Sequence, residues 1–231
     1  MGRRPPGTLP GGVAPPARAK RQPRRSASHL ACAPACHAAS PSGRVIVTAL
    51  RLGIDTSSRY LSLALATEQG EPIAARISVV DRKHAERIVP ELNAILREAD
   101  VSRAALGSIT VGIGPGSYTG LRVGVAAAQG LATALQLPLA GGCSLAAMAW
   151  GALEPDEVGV AVLDARRGNV YAATFAREDQ RLHELQAPAK VPRDEVRSAW
   201  AEARWLEDVA PDARWLVRAE APRAQPTPRY W

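Results

Sequence analysis

Two stretches of this chain, 109 residues apart, follow one plan: IDTSSRYLSLALAT from Ile54 and LDARRGNVYAATFA from Leu163. In each, an apolar run ends on an aspartate, a polar turn of matching length follows, and an alternating strand comes next. Repetition of this kind constrains a chain more than local propensity does, because the same unit must be built twice and each copy must bury a face. The 231 residues suffice for one sizeable domain or two small ones, and the second copy has room only for a reduced version of the first.

From residue 50 the first copy is regular. LRLGIDTS, YLSLALAT and EPIAARISVV read as three meandering strands. HAERIVPELNAILREAD then places Ala85, Ile88, Val89, Leu92, Ile95, Leu96 and Ala99 on one helical stripe, with Pro90 kinking the helix or sitting near its first turn. GSITVGIG is a fourth, buried strand, a long helix runs from about Tyr118 to Leu135, LPLAGG is a fifth strand, and SLAAMAW starts another helix with Ser144 as N-cap. The result is an α/β chain with a mixed sheet. A duplicated lobe of strand, aspartate turn and strand resembles the ribonuclease H-like, actin-type (ASKHA) fold of the sugar kinase, actin and Hsp70 group, in which two aspartate turns face a nucleotide. The expected division is a basic tail over 1–43, an N-terminal lobe over 44–150 and a reduced C-terminal lobe over 151–231.

The formal charge of +7 suggests nucleic acid until it is located. Residues 1–46 hold eight cations and no acid, which leaves 21 cations against 22 acids in the rest. The folded part is near neutral, so its charge does not argue for RNA or DNA. The tail, rich in Pro, Arg, Ala, Gly and Ser, is expected to be disordered. It reads as a nucleic-acid arm, as an organelle transit peptide, or as translation assigned too early, with the start at Val45 or Val47; the excess of 26 arginines over 3 lysines, typical of a GC-rich genome, favours the last. His29, Cys32, Cys36 and His37 lie there without a scaffold to fix zinc geometry. Three cysteines and no secretory signal point to a reducing compartment, the cytoplasm, and no run is long enough for a membrane span.

GIDTSSRYLSLAL, HAERIVPELNAIL, GIGPGSYTGLRVGVAAAQGLA and LDARRGNVYAATF together resemble the TsaB family, formerly described as glycoprotease-like. The match runs collinearly over roughly residues 50 to 178 and is most specific in the glycine-rich block. The resemblance implies a non-catalytic subunit of the machinery that places threonylcarbamoyl on the adenosine beside the anticodon of tRNA. Its partners would be a TsaD-type catalytic subunit and a TsaE-type ATPase, with tRNA met only through the complex and a homodimer formed when the catalytic partner is absent. It implies no cofactor of the chain's own.

The residues give little to a catalyst. The catalytic relatives of that family, as the resemblance implies, hold a metal with two histidines one helical turn apart, a pairing that lets both imidazoles reach one ion. Here His84 occupies the first position and Ile88 the second, so no metal site is expected. Asp55 sits in DTSSR, which lacks the glycine that brings backbone amides to a phosphate, so a structural Asx-type role is favoured over metal binding; Asp164 in DARRGN is read alike. His84 and His183 lie near no recognisable nucleophile motif, so no catalytic residues are assigned and a peptidase is not expected.

GPGSYTG has neither the lysine of a P-loop nor the G-x-G-x-x-G spacing of a dinucleotide fold. Along the following helix Gly120, Gly124 and Ala128 recur at helical spacing, a smooth face that lets another helix approach. Glycine costs about 1 kcal/mol in a helix interior, so close packing is its expected return, whether against a partner or within the lobe. The TsaB resemblance implies a four-helix interface built from the two helices, and the expected interface residues are Ile88, Val89, Leu92, Ile95, Tyr118, Gly120, Leu121, Gly124, Val125 and Ala128. On that reading Gly124→Leu blocks association and leaves the monomer folded. Asp55, Gly114, Gly116, Ser117 and Arg122 are the residues expected near any nucleotide. Two rivals stand beside the scaffold: a small-molecule kinase of the same fold anchored on Asp55, and an RNA-binding module using the tail.

Overall fold

The computed structural model describes residues 49–218, 221 and 223–229, so the tail cysteines and histidines, the alternative starts and Trp231 lie outside the described residues. Strand β1 (Leu50–Asp55) pairs antiparallel with β2 (Tyr60–Ala66), which pairs antiparallel with β3 (Pro72–Val79). Helix α1 (His84–Glu98) and a short 3-10 turn lead to β4 (Leu106–Gly112), and α2 (Tyr118–Leu135) to β5 (Leu139–Gly142). Both β4 and β5 run parallel to β1, as strands joined through crossover helices do, and the sheet order is β3-β2-β1-β4-β5.

After α3 (Ser144–Ala152) the plan restarts. Strands β6 (Val158–Asp164), β7 (Asn169–Glu178) and β8 (Arg181–Pro192) meander, α4 (Arg193–Ala199) crosses over, and β9 (Arg204–Glu207) lies parallel to β6. The order β8-β7-β6-β9 repeats the first sheet without its fifth strand. This is the duplicated ribonuclease H-like arrangement, with a reduced second copy.

Three apolar clusters hold the layers. Leu52, Ile54, Ile95, Val111 and Val125 lie between the first sheet and the α1/α2 layer. Val160, Val170, Val196 and Trp200 join the second sheet to α4. Between the two sheets sit α3 and α5 (Ala213–Val217), with Leu145, Met148, Phe175 and Leu216. Helix α3 is apolar all round and seven of its residues are buried, as a helix enclosed on every side requires.

The last segment, which the expected division assigns to the C-terminal lobe, does not stay there. It returns to the first sheet: Ala213 N–H donates to Ser62 Oγ at 2.9 Å, Arg51 donates to the Val217 carbonyl at 3.3 Å, and Ala224 pairs with Gly141 beside β5. Trp215 stacks on Trp150 with ring centroids 5.3 Å apart. Pro90 lies within α1 on its exposed side.

Helix α1 is fastened to the edge strand by a buried carboxylate. Glu91 accepts from Arg76 Nε of β3 at 3.0 Å and also pairs with Arg87, while Arg76 reaches Glu98 as well. Burial pushes the Glu91 carboxyl up, but the hydrogen bonds and charges of Arg87 and Arg76 outweigh it and leave its pKa below the usual value. A carboxylate with a depressed pKa contributes stability above its unfolded pKa and loses it as the pH falls through the folded value. Glu91→Gln is therefore expected to cost about 1–3 kcal/mol at pH 7 in urea unfolding. The gap should narrow below about pH 4.5 as the native carboxylate takes up its proton.

Candidate functional site

Parallel β1 and β4 end on the same side of the sheet, so the turns that follow them lie together. The β1 turn is Thr56–Arg59 and the β4 turn is the glycine-rich stretch Ile113–Ser117. Their contact is close: Ser117 N–H donates to the Ser57 carbonyl at 2.6 Å, backbone to backbone, and the Thr56 side chain donates through Oγ1 to the Gly120 carbonyl of α2 at 2.8 Å.

The glycines make this approach possible. A Cβ at Gly120 would stand 2.2 Å from the Thr56 carbonyl oxygen, one at Gly124 2.1 Å from Thr56 Oγ1, and one at Gly116 2.4 Å from the Ser57 carbonyl oxygen. The smooth helix face is thus occupied by the β1 turn of the same chain, and the expectation that Gly124→Leu leaves the monomer folded is corrected: its first added atom already collides with a buried side chain. Gly130, at the far end of α2, has nothing within 4 Å of its would-be Cβ.

Asp55 closes the same knot. It is fully buried, its Oδ1 accepts from Ser57 N–H at 2.8 Å and Ser57 Oγ at 2.6 Å, and its Oδ2 accepts from Ser144 Oγ at 2.7 Å. Burial is the main influence on its carboxyl and raises the pKa, against the hydrogen bonds from Ser57 and Ser144 and the charge of His84. Ser144 does not cap α3, which has Cys143 at its N-cap; its Oγ also accepts from Gly114 N–H at 3.2 Å. Ser117 caps α2 by accepting from Gly120 N–H at 3.2 Å.

Of the backbone N–H groups that open α2, those of Ser117 and Gly120 are thus taken by the Ser57 carbonyl and by Ser117 Oγ. Asp55, Gly114, Gly116 and Ser117 are brought together, and Arg122 is not: it is exposed and donates to Tyr118 Oη at 3.0 Å, its guanidinium 5.3 Å from the ring centroid. Asp164, in the second copy, makes the looser version of the turn, accepting from Arg166 N–H at 3.1 Å on the surface.

Buried His84 opens α1 with Nε2 3.1 Å from the Tyr60 carbonyl oxygen. Among the described residues no group of three or more His, Cys, Asp or Glu is placed to hold a metal ion, and no helix is long and apolar enough to cross a membrane. Burial pushes the Cys143 thiol up to about 11, which keeps it protonated and a poor nucleophile. It lines a cavity of about 180 Å³ between the glycine-rich turn, the β7–β8 hairpin and the returning C-terminal segment, with Phe175, Leu182, Glu184 and Arg229. Strand β8 of this hairpin and the C-terminal segment are not singled out as site elements from sequence, where neither carries a motif.

Of the ten residues expected at an interface, Ile88, Leu92, Ile95, Gly120, Leu121, Gly124, Val125 and Ala128 are buried inside the chain, while Val89 and Tyr118 are 55% and 57% exposed. The exposed residues of the two helices include these two with Pro90, Arg122, Ala126, Gln129 and Gly130.

The family model for TsaD, tRNA N6-adenosine threonylcarbamoyltransferase, matches residues 77–197. The chain is 33% identical over 147 residues to the tRNA threonylcarbamoyladenosine biosynthesis protein TsaB of Escherichia coli, covering 63% of each chain. It is 35% identical over 156 residues to the protein of the same name from Bacillus subtilis, covering 68% of this chain and 64% of that one. It spans a little under two thirds of the length of these curated relatives. Among solved structures it is similar to YeaZ from Pseudomonas aeruginosa, with a TM-score of 0.68 and 28% identity over 79% of this chain and all of that one.

Proposed function

The chain belongs to the TsaB family, and on that premise we propose that it is a non-catalytic subunit which binds a TsaD-type catalytic subunit during N6-threonylcarbamoyladenosine modification of tRNA. The observation that carries this is the filled junction of the two turns: Thr56, Ser57 and Ser117 occupy one another where the fold resembled in the sequence would receive a nucleotide. A chain that closes its own site acts by being bound. It would favour the active form of its partner by binding that form preferentially. The surface for this is the open side of α1 and α2 around Val89 and Tyr118, underlain by the buried stripe that holds the helices in place. The same surface would support a homodimer when the partner is absent, a TsaE-type ATPase would complete the assembly, tRNA would be met through the complex, and the setting would be cytoplasmic.

Reconstitution tests the role. With the TsaD-type subunit, the ATPase, tRNA and an activated threonylcarbamoyl donor, mass spectrometry of digested tRNA is expected to find the modified nucleoside only when the chain is added, and none from the chain alone. Modification by the chain alone, or full modification without it, overturns the reading.

A further inference from the structure

The cavity beside the glycine-rich turn is small, lined largely by apolar side chains, and flanked by two opposite charges. Ile113, Ala146, Phe175 and Trp215, all buried, line it together with half-buried Leu182. Its volume of about 180 Å³ holds roughly seven non-hydrogen atoms, since benzene occupies an apolar cavity of about 150 Å³. A nucleotide is several times too large.

Backbone pairing sets both charges at this cavity. Glu184 of β8 is the register partner of Phe175 in β7, and directly opposed residues of an antiparallel pair project from one face of the sheet, so the carboxylate and the ring leave it side by side. Across the cavity the C-terminal segment is tied down twice: Gly141 and Ala224 exchange N–H···O bonds of 2.7 and 2.8 Å, and Arg229 N–H donates to the Ile113 carbonyl at 2.8 Å. Glu184 and Arg229 are exposed, line the same space, and neither is in an ion pair among the described residues. The Cys143 thiol feels both: after burial and the N–H groups of Ala146 and Leu145, Glu184 raises its pKa and Arg229 lowers it. Arg223, the third charged residue of the lining, donates to the Arg218 carbonyl at 3.3 Å.

We infer that this cavity binds a small zwitterion with an aliphatic group, an amino acid of the size of leucine. Arg229 takes its carboxylate, Glu184 its ammonium, and the aliphatic group fills the space lined by Phe175, Leu182 and Trp215. The two charges decide the class. An aliphatic carboxylate leaves Glu184 facing an anion, an aliphatic amine leaves Arg229 facing a cation, and a hydrocarbon uses neither. The site is complete in one chain, so the inference stands or falls apart from the proposed binding of a catalytic subunit.

The test is an amide chemical-shift titration of the full chain, without partners, against L-leucine, isocaproate and isopentylamine. The last two are leucine without its ammonium and leucine without its carboxylate. Leucine should bind with a dissociation constant of about 1 mM or lower, and each singly charged analogue about ten-fold more weakly. Arg229→Ala should weaken leucine about ten-fold and leave isopentylamine unchanged or tighter, whereas Glu184→Gln should weaken leucine about ten-fold and leave isocaproate unchanged or tighter. Both positions are exposed, so both variants should unfold at the wild-type midpoint. No shift with leucine at about 20 mM overturns the inference, as does an Arg229→Ala chain that binds leucine like wild type. Equal affinity for all three ligands would reveal an apolar hole without charge recognition, and ATP binding in place of leucine would reveal a nucleotide site; either result also overturns it.

Discussion

Gly124→Leu is expected to leave little folded protein at 25 °C, with about 4 kcal/mol or more lost in urea unfolding. A Cβ at 124 falls 2.1 Å from Thr56 Oγ1 and 3.2 Å from Thr56 Cβ, and Thr56 cannot rotate away without giving up its bond to the Gly120 carbonyl. The backbone cannot yield either, since Ser117 N–H holds the next residue's carbonyl at 2.6 Å. Gly124→Ala should lose less, and Thr56→Ala should recover part of that loss by removing the colliding oxygen, so the two changes should couple strongly in a double-mutant cycle. A Gly124→Leu chain with the wild-type midpoint would mean that the two turns are not in contact.

Asp55 gives the second large effect. Asp55→Ala leaves Ser57 N–H and the hydroxyls of Ser57 and Ser144 without their acceptor in a buried site, at a cost of about 2–4 kcal/mol. Asp55→Asn keeps an acceptor for Ser57 and should cost less, with an informative pH dependence. Burial raises the native carboxyl's pKa above the ordinary 3.8, so the wild type has its full stability from this group below that pH and loses some as the pH rises through the folded value. The deficit of Asp55→Asn relative to wild type should therefore be larger in acid than at pH 7. A deficit of the same size at every pH would contradict this account of Asp55.

The elements of the first copy were legible because their periods are strong. The stripe from Ile88 to Leu96 marks α1, and the long helix runs from Tyr118 to Leu135 as its pattern requires. The repeat at Asp55 and Asp164 gave the second sheet before its strands were individually clear. Helix α5 was not legible: it has five residues, and its contact with Ser62 spans 151 positions. Strand β8 alternates only between half-buried and exposed, so its pattern is shallow. At the site, the glycine spacing announced a close approach but not its neighbour. The signal was present in topology, because β1 and β4 are parallel and adjacent and their following turns must meet at one end of the sheet.

The most direct measurement is a calorimetric titration of the chain with the TsaD-type subunit, comparing wild type with a Val89→Asp, Tyr118→Asp double variant. Both positions are exposed, so the variant should unfold at the wild-type midpoint, and two charges at the centre of the surface should weaken binding by about 100-fold or more. Wild-type affinity in the folded variant would place the contact elsewhere and contradict the account.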